Sequence, residues 1–194
     1  MTGVVLSGGE SRRMGNDKGL LMAENKNWAQ AAHDKLAPFV NHVVVSVNPS
    51  QYEIYNQQFL VSQLVQDTDL TDIHGPLHGL LSVHLQYPGQ DLFVLACDMI
   101  AMNAPVLTAI FVAYQEDSRK ECYVCNSKNG LQPLAGIYTS ALFERILLLR
   151  RNQQFEKFSM KYVLEISNTH IIPVQEAWEP YFVNCNFKEN VNYQ

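Results

Sequence analysis

The stretch "VVLSGGESRRMGNDKGLL", residues 4–21, decides how the rest of the chain is read. It begins as an apolar, β-branched run, the pattern of a short buried strand. It continues with Gly8, Gly9, Arg12, Arg13, Gly15 and Lys18. The chain carries a formal net charge of −5, so three cations gathered in one glycine-rich turn call for a local reason. Successive backbone N–H groups in such a turn form a concavity that holds phosphate oxygens. Gly8 and Gly9 permit close backbone approach. Arg13 and Lys18 supply positive charge, arginine with a bidentate grip. A surface loop of solvated charges is the plainer alternative, and the clustering directly after a first strand weighs against it. The spacing is neither G-x-x-x-x-G-K-[ST] nor G-x-G-x-x-G, which excludes a P-loop and a dinucleotide fingerprint.

Outward from this turn, strand-like and helix-like segments alternate. Strands are expected at 3–7, 42–48, the end of 59–67, and 91–98, the last a nearly continuous apolar run suited to a central parallel strand. Helices are expected over most of 28–40 as far as Pro38, and over 75–88, 104–117 and 140–151. "CYVCNSKNGLQPLAGIY" (122–138) predicts two strands around a turn at "SKNG". "THIIPV" (169–174) and "YFVNCN" (181–186) predict late short strands. The alternation implies an α/β, three-layer, doubly wound and mostly parallel sheet. No repeat or linker interrupts it, so residues 1–194 are expected to form one domain.

Composition narrows the function classes. With 47% hydrophobic and 17% charged residues, a packed core is expected and disorder is not. No apolar run approaches the ~20 residues of a membrane span, and "MTGVVLSGG" lacks the charged start of a secretion signal. A soluble, cytoplasmic protein is the expectation. A pI near 5.6 argues against nucleic-acid binding, which needs a basic face. The four cysteines, Cys97, Cys122, Cys125 and Cys185, do not suggest a disulfide framework without secretion. Cys122 and Cys125 form one C-x-x-C on a strand-like segment, where i and i+3 face opposite ways. They read as structural thiols, not as ligands.

The carboxylates are less decided by residues alone. Asp98 ends an apolar strand, where a hard carboxylate would face a ligand crevice and suit magnesium. It would equally serve as a turn or cap residue before "MIAMNAP". The acidic loop "QDTDLTD" offers Asp67, Asp69 and Asp72, one of them readable as simply solvated, and Asp67 is favoured as the functional one because it directly follows the apolar segment. His74 and His78 are four apart, but Gly75–Pro76 puts His74 outside the helix, so an i, i+4 metal pair is not expected. His33, His42, His84 and His170 read as surface or half-buried residues.

"LSGGESRRMGNDKGLL" (6–21) closely resembles the G-G-x-S-x-R-M-G-x-D-K signature of molybdenum-cofactor guanylyltransferases, Rossmann-like nucleotidyltransferases. Matches continue in order through "VVVSVN" to Asn48, "VQD" at Asp67, "GPLHGLLS" from Gly75, "VLACDM" with Asp98, and "LQPLAGIY". The resemblance implies transfer of GMP from GTP to a phosphate on the molybdopterin cofactor, with pyrophosphate leaving. It implies that Leu6, Ser7, Gly8 and Gly9 hold the nucleotide and that Arg13 and Lys18 contact its phosphates. It puts Asn48, Asp67 and Gly75 in the nucleotide pocket, with Asp67 near guanine or ribose, and gives Mg²⁺ to Asp98. Cofactor-insertion proteins and molybdoenzymes are implied as partners.

The chain departs from the family pattern in three places. Ile100 stands where the family has proline. "NCNFKEN" replaces N-x-N-T-P-E-D, which bears on Asn184 as a metal-side contact. "MAENKNWAQ" lacks the usual glycine.

The implied chemistry is in-line attack on the α-phosphate by a nucleophile that is already a phosphate. It needs positioning and charge neutralisation more than a strong base, which suits a sequence without a Ser–His–Asp or Cys–His signature. Base choice does not follow from the residues. A related enzyme using CTP or another phosphorylated acceptor, and a non-catalytic nucleotide-binding protein on the same fold, are the alternatives.

Overall fold

The computed structural model describes residues 1–7, 17–23, 25–70 and 72–183. The chain opens with β1 (Thr2–Leu6), followed by a small hairpin of β2 (Met22–Ala23) and β3 (Lys26–Asn27), then α1 (Trp28–Leu36) and β4 (His42–Val47). Next come α2 (Tyr52–Tyr55), β5 (Leu64–Gln66), α3 (Pro76–Gln86), β6 (Leu92–Ala96) and α4 (Ala104–Glu116). The last part holds β7 (Cys122–Ser127), β8 (Gly130–Tyr138), α5 (Ser140–Arg151), α6 (Met160–Glu165) and β9 (Thr169–Pro173).

Seven strands form one sheet in the order β5-β4-β1-β6-β8-β7-β9. Every neighbouring pair is parallel except the two made by β8. The sheet is therefore mostly parallel, as the alternation predicts. β6, expected to be a central parallel strand, has β1 parallel on one side and β8 antiparallel on the other.

Strand residues alternate between two cores. Val5, Val45, Phe93 and Leu95 face the layer holding Ala32, Leu36, Leu107 and Ile110 from α1 and α4. Val4, Val44, Leu92 and Val94 face the layer holding Leu77, Leu80, Phe143 and Val163 from α3, α5 and α6. Burial on both faces is why these strands are apolar runs with little polar alternation. Cys122 and Cys125 divide in the same way: both are fully buried, one in each core.

Helix starts follow local chemistry. Asn27 and Gln30 form a reciprocal capping box at α1. Asn103, Thr139 and Ser159 accept backbone N–H groups at the starts of α4, α5 and α6. At α3 the start is Gly75–Pro76, with Gly75 at φ +70° and ψ −157°. A Cβ there would meet nothing within 4 Å, so the backbone angle alone demands glycine.

Two expectations are corrected. "YFVNCN" does not begin as a strand: Tyr181 and Phe182 close a 3₁₀ segment, Glu176–Phe182, that contains Pro180. Proline cannot donate to a ladder, and Phe182 turns into the core instead. His84 is not a surface or half-buried residue. It is 3% exposed in α3, against the Phe143 ring at 5.4 Å, and burial holds its pKa below the usual histidine value despite the charge of Glu144.

Candidate active site

The parallel strands β1, β4, β5 and β6 end level with one another. Leu6 pairs with Ser46 and with Ala96, and Val47 pairs with Gln66. The ladder runs one residue further, through Ser7 N–H to Ser46 O at 3.1 Å, Cys97 N–H to Leu6 O at 3.1 Å, and Asp67 N–H to Val47 O at 2.9 Å. Ser7, Asn48, Asp67 and Asp98 therefore emerge side by side at the carboxyl edge of the sheet, where open α/β folds bind ligands.

On this edge Lys18 Nζ lies 3.4 Å from Asp98 Oδ2, with side chains 27% and 20% exposed. Both are held from behind. Asp17 accepts from Gly19 N–H at 2.9 Å and from the Tyr55 hydroxyl at 2.8 Å, and Gln51 Nε2 donates to its other oxygen. Gln51 Nε2 also reaches Ser7 O at 3.1 Å, and Gln51 Oε1 accepts from Asn48 N–H at 2.9 Å. One glutamine thus ties the ends of β1 and β4 to the residue preceding Lys18. Burial, with the Asp17 charge beside it, pushes the Tyr55 phenol far above its ordinary pKa, so it remains a donor.

Behind Asp98, Met99 and Met102 are buried, and Lys35 Nζ donates to the carbonyl of Ile100. The position where the family carries proline is fixed here by a side chain from α1.

On the same edge, a cavity of about 560 Å³ is lined by Asn48, Asp67, Thr68, Asp69, His74 and His78, among others. Asn48 Oδ1 is taken up by Gln51 N–H at 3.0 Å and the Ser50 hydroxyl at 2.7 Å. Its amide N–H₂ remains the end suited to a ligand acceptor. Asp67 Oδ1 is buried and lacks a hydrogen-bond partner. Burial raises the Asp67 pKa, offset in part by the charge of His78 and by the nearby Ser46 hydroxyl. Asp72, by contrast, pairs with Arg150 at the surface, so of these two acidic-loop residues it is Asp67 that turns to the cavity.

The residues expected from sequence fall into two groups here. Lys18 meets Asp98; Asn48 and Asp67 share the cavity; Leu6 and Ser7 end the strand between the two places. Gly75 begins the helix that carries His78 into the cavity wall. Gly8, Gly9, Arg13 and Asn184 lie outside the described residues. Sequence reasoning missed Asp17, Gln51 and Tyr55, and it set His78 aside. Only Asp17 left a signal, standing beside Lys18 in the opening stretch.

The donor set limits what ion would fit. Among the described residues, no group of three or more His, Cys, Asp or Glu side chains converges, so they form no cage of the kind zinc or calcium takes. A single carboxylate at the carboxyl edge of the sheet suits Mg²⁺, which keeps waters and completes its shell with ligand oxygens.

A level edge of parallel strands, with a cation and a carboxylate on the same edge as a cavity, defines an α/β nucleotide-handling protein of the doubly wound class. Residues 3–166 match the MobA-like NTP transferase domain, and the chain belongs to that family of nucleotidyltransferases. A "Molybdenum cofactor biosynthesis bifunctional protein" of Synechocystis is 31% identical over 137 residues, covering 71% of this chain and 38% of that protein. This chain thus spans well under half the length of that relative. A molybdenum cofactor guanylyltransferase of Campylobacter jejuni is 26% identical over 187 residues, covering 96% of this chain and 91% of that protein. The crystal structure of molybdopterin-guanine dinucleotide biosynthesis protein A from Archaeoglobus fulgidus superposes with a TM-score of 0.76 at 20% identity. It covers 98% of this chain and 95% of that one, a likeness of fold. Among the described residues no helix is long and apolar enough to cross a membrane.

Proposed function

We propose that this chain is a molybdenum cofactor guanylyltransferase, with residues 1–194 acting as one nucleotidyltransferase domain in the cytoplasm. A phosphate oxygen of molybdopterin attacks the α-phosphorus of GTP. A new P–O bond forms, the bond to the β-phosphate oxygen breaks, and pyrophosphate leaves with the electron pair. The observation that carries this reading is the Lys18–Asp98 pair at 3.4 Å on the same edge as the cavity. The names of full-length relatives point the same way.

In this reading the backbone of Leu6 to Gly9 and the charges of Arg13 and Lys18 hold the triphosphate and offset the charge of the departing pyrophosphate. Asp98, with Asn184 as a second contact, would hold Mg²⁺, which supplies further charge neutralisation when bound. Asn48 and Asp67, with Gly75 at the start of α3, bound the nucleoside.

Asp67 also bears on base choice. A carboxylate presents two acceptor oxygens side by side, which suits a base that offers two adjacent donors, and guanine does so through N1–H and its 2-amino group. Cytosine would set its acceptor N3 beside the carboxylate. That difference favours GTP over the CTP reading. Cofactor-insertion proteins and molybdoenzymes follow as partners that receive the product.

The experiment is pyrophosphate release from GTP, CTP, ATP and UTP, with Mg²⁺ and the molybdopterin acceptor. Release with GTP alone is expected. Release with CTP moves the chain to the cytidylyl reading. Nucleotide binding without release under any condition makes it a non-catalytic binder.

A further inference from the structure

The cavity assigned above to the base holds a pair that the transfer step does not use. His78 lies in the first turns of α3, and its Nε2 is 2.7 Å from the carbonyl oxygen of Thr68. A carbonyl only accepts, so Nε2 carries a proton. The other ring nitrogen, Nδ1, is 3.9 Å from Asp67 Oδ2, with the two side chains 20% and 15% exposed. Solvent screening between them is therefore limited. With the imidazole neutral, Nδ1 turns a lone pair towards an ionised carboxylate, and the two repel. With the imidazole protonated, Nδ1–H faces Oδ2, and they attract. The second oxygen, Oδ1, is buried without a partner in either case. The other titratable groups lining this cavity are Asp69 and His74. Asp72, next in the same loop, is neutralised by Arg150 from α5. From α3 the Ser82 hydroxyl bonds Thr68 N–H at 2.9 Å and the His78 carbonyl at 2.9 Å, which fixes the loop against the helix.

We propose that protonated His78 and ionised Asp67 form an ion pair in the cavity wall, and that this protonated pair is the form that binds the nucleotide. His78 is a positioning residue. Its Nδ1–H attracts Oδ2 and holds the carboxylate in one orientation in the cavity wall. It also removes one negative charge from a cavity that must admit a polyanion. Loss of the proton frees the carboxylate to turn and sets it against the nucleotide's own charge. This inference rests on the cavity being the base subsite. It adds that base binding is linked to a proton on a residue outside the phosphate-binding turn.

The test is calorimetric titration with Mg²⁺–GTP between about pH 5.5 and about pH 8.5, the range in which imidazoles titrate. It is made on the intact chain, His78→Gln and Asp67→Asn. The variants report the background from the nucleotide's own phosphates. Affinity of the unaltered protein is expected to fall about tenfold across that range, and both variants to lose that fall. A pH profile in His78→Gln that parallels the unaltered protein overturns the inference and leaves the guanylyltransferase reading intact. Absence of GTP binding at every pH overturns that reading instead. The pair is then judged by NMR titration of the His78 ring in the free protein, where an identical titration in Asp67→Asn overturns the pairing. A His78 titration displaced to lower pH in that variant supports it.

Discussion

Lys18 and Asp98 are 80 residues apart in the chain, and they meet at 3.4 Å across the carboxyl edge of the sheet. β1 and β6 are adjacent and in register, and Asp98 follows the end of β6 closely enough to meet Lys18. Both side chains keep contact with solvent, and ion pairs near the surface contribute about 0–1 kcal/mol to stability. The pair is thus weak as a brace and well placed for a phosphate.

Lys18→Ala and Asp98→Asn are therefore expected to fold normally and fail in turnover. Removing one preorganised charge-stabilising group typically costs about 10²–10³ in rate. Steady-state pyrophosphate release, with thermal unfolding as the control for folding, checks this. A turnover within a few-fold of the unaltered protein in either variant removes that residue from the mechanism.

Gly19→Ala is expected to disturb the site through its support. A Cβ at Gly19 would collide with the Tyr55 hydroxyl and lie 3.0 Å from Ser7 Oγ. That hydroxyl is one of the three donors holding Asp17. The substitution should destabilise by about 1–3 kcal/mol, as overpacking does, and lower turnover by displacing Lys18. Adding Tyr55→Phe makes room and should recover part of the stability. Urea unfolding of the single and double variants reads the coupling, and strict additivity would count against this contact.

How much of this was legible depended on how local the cause was. The strands at 42–47 and 92–96 are buried on both faces, so their apolar runs declare them. α5 was readable to both ends because Thr139 caps it and Arg150 and Arg151 close it. α2 and α6, at four and six residues, are too short to show a helical period. Gln51 and Tyr55 reach Asp17 across 34 and 38 positions, a contact that no local pattern announces. The spacing of His74 and His78 bears only on a pair along one helix, and His74 does lie outside α3. The partners of His78, Asp67 and Thr68, come from the loop eleven and ten positions earlier.

The thiols give a prediction about reactivity. Burial pushes the Cys97 and Cys125 pKa values up to about 12 and that of Cys122 to about 11. The thiolate is the reactive form, so all three are expected to resist iodoacetamide in the folded protein near pH 8 and to label fully in guanidinium. Peptide mass spectrometry separates the three sites. Rapid native labelling of Cys122 or Cys125 would reopen a redox or metal role for the C-x-x-C pair.

Asp67 is expected to cost the free protein stability at neutral pH. Burial raises its folded pKa above the ordinary 3.8, so the folded state holds the proton more tightly than the unfolded one. The stabilisation from that difference is complete below pH 3.8 and is lost as pH rises through the folded value. At pH 7 the carboxylate is ionised in a place that disfavours it, and Asp67→Asn removes that penalty. The side chain is only 15% exposed, and a rise of about 1–3 °C in Tm is expected. The advantage should shrink as pH approaches the ordinary carboxylate range, where the unaltered residue is protonated too. The same variant should bind GTP less well, because an amide presents only one acceptor where guanine brings two donors. Thermal unfolding across pH, beside GTP titration at pH 7, tests both halves. A variant less stable than its parent at pH 7 would mean that ionised Asp67 braces the loop, and that its oxygen is not being held for a ligand.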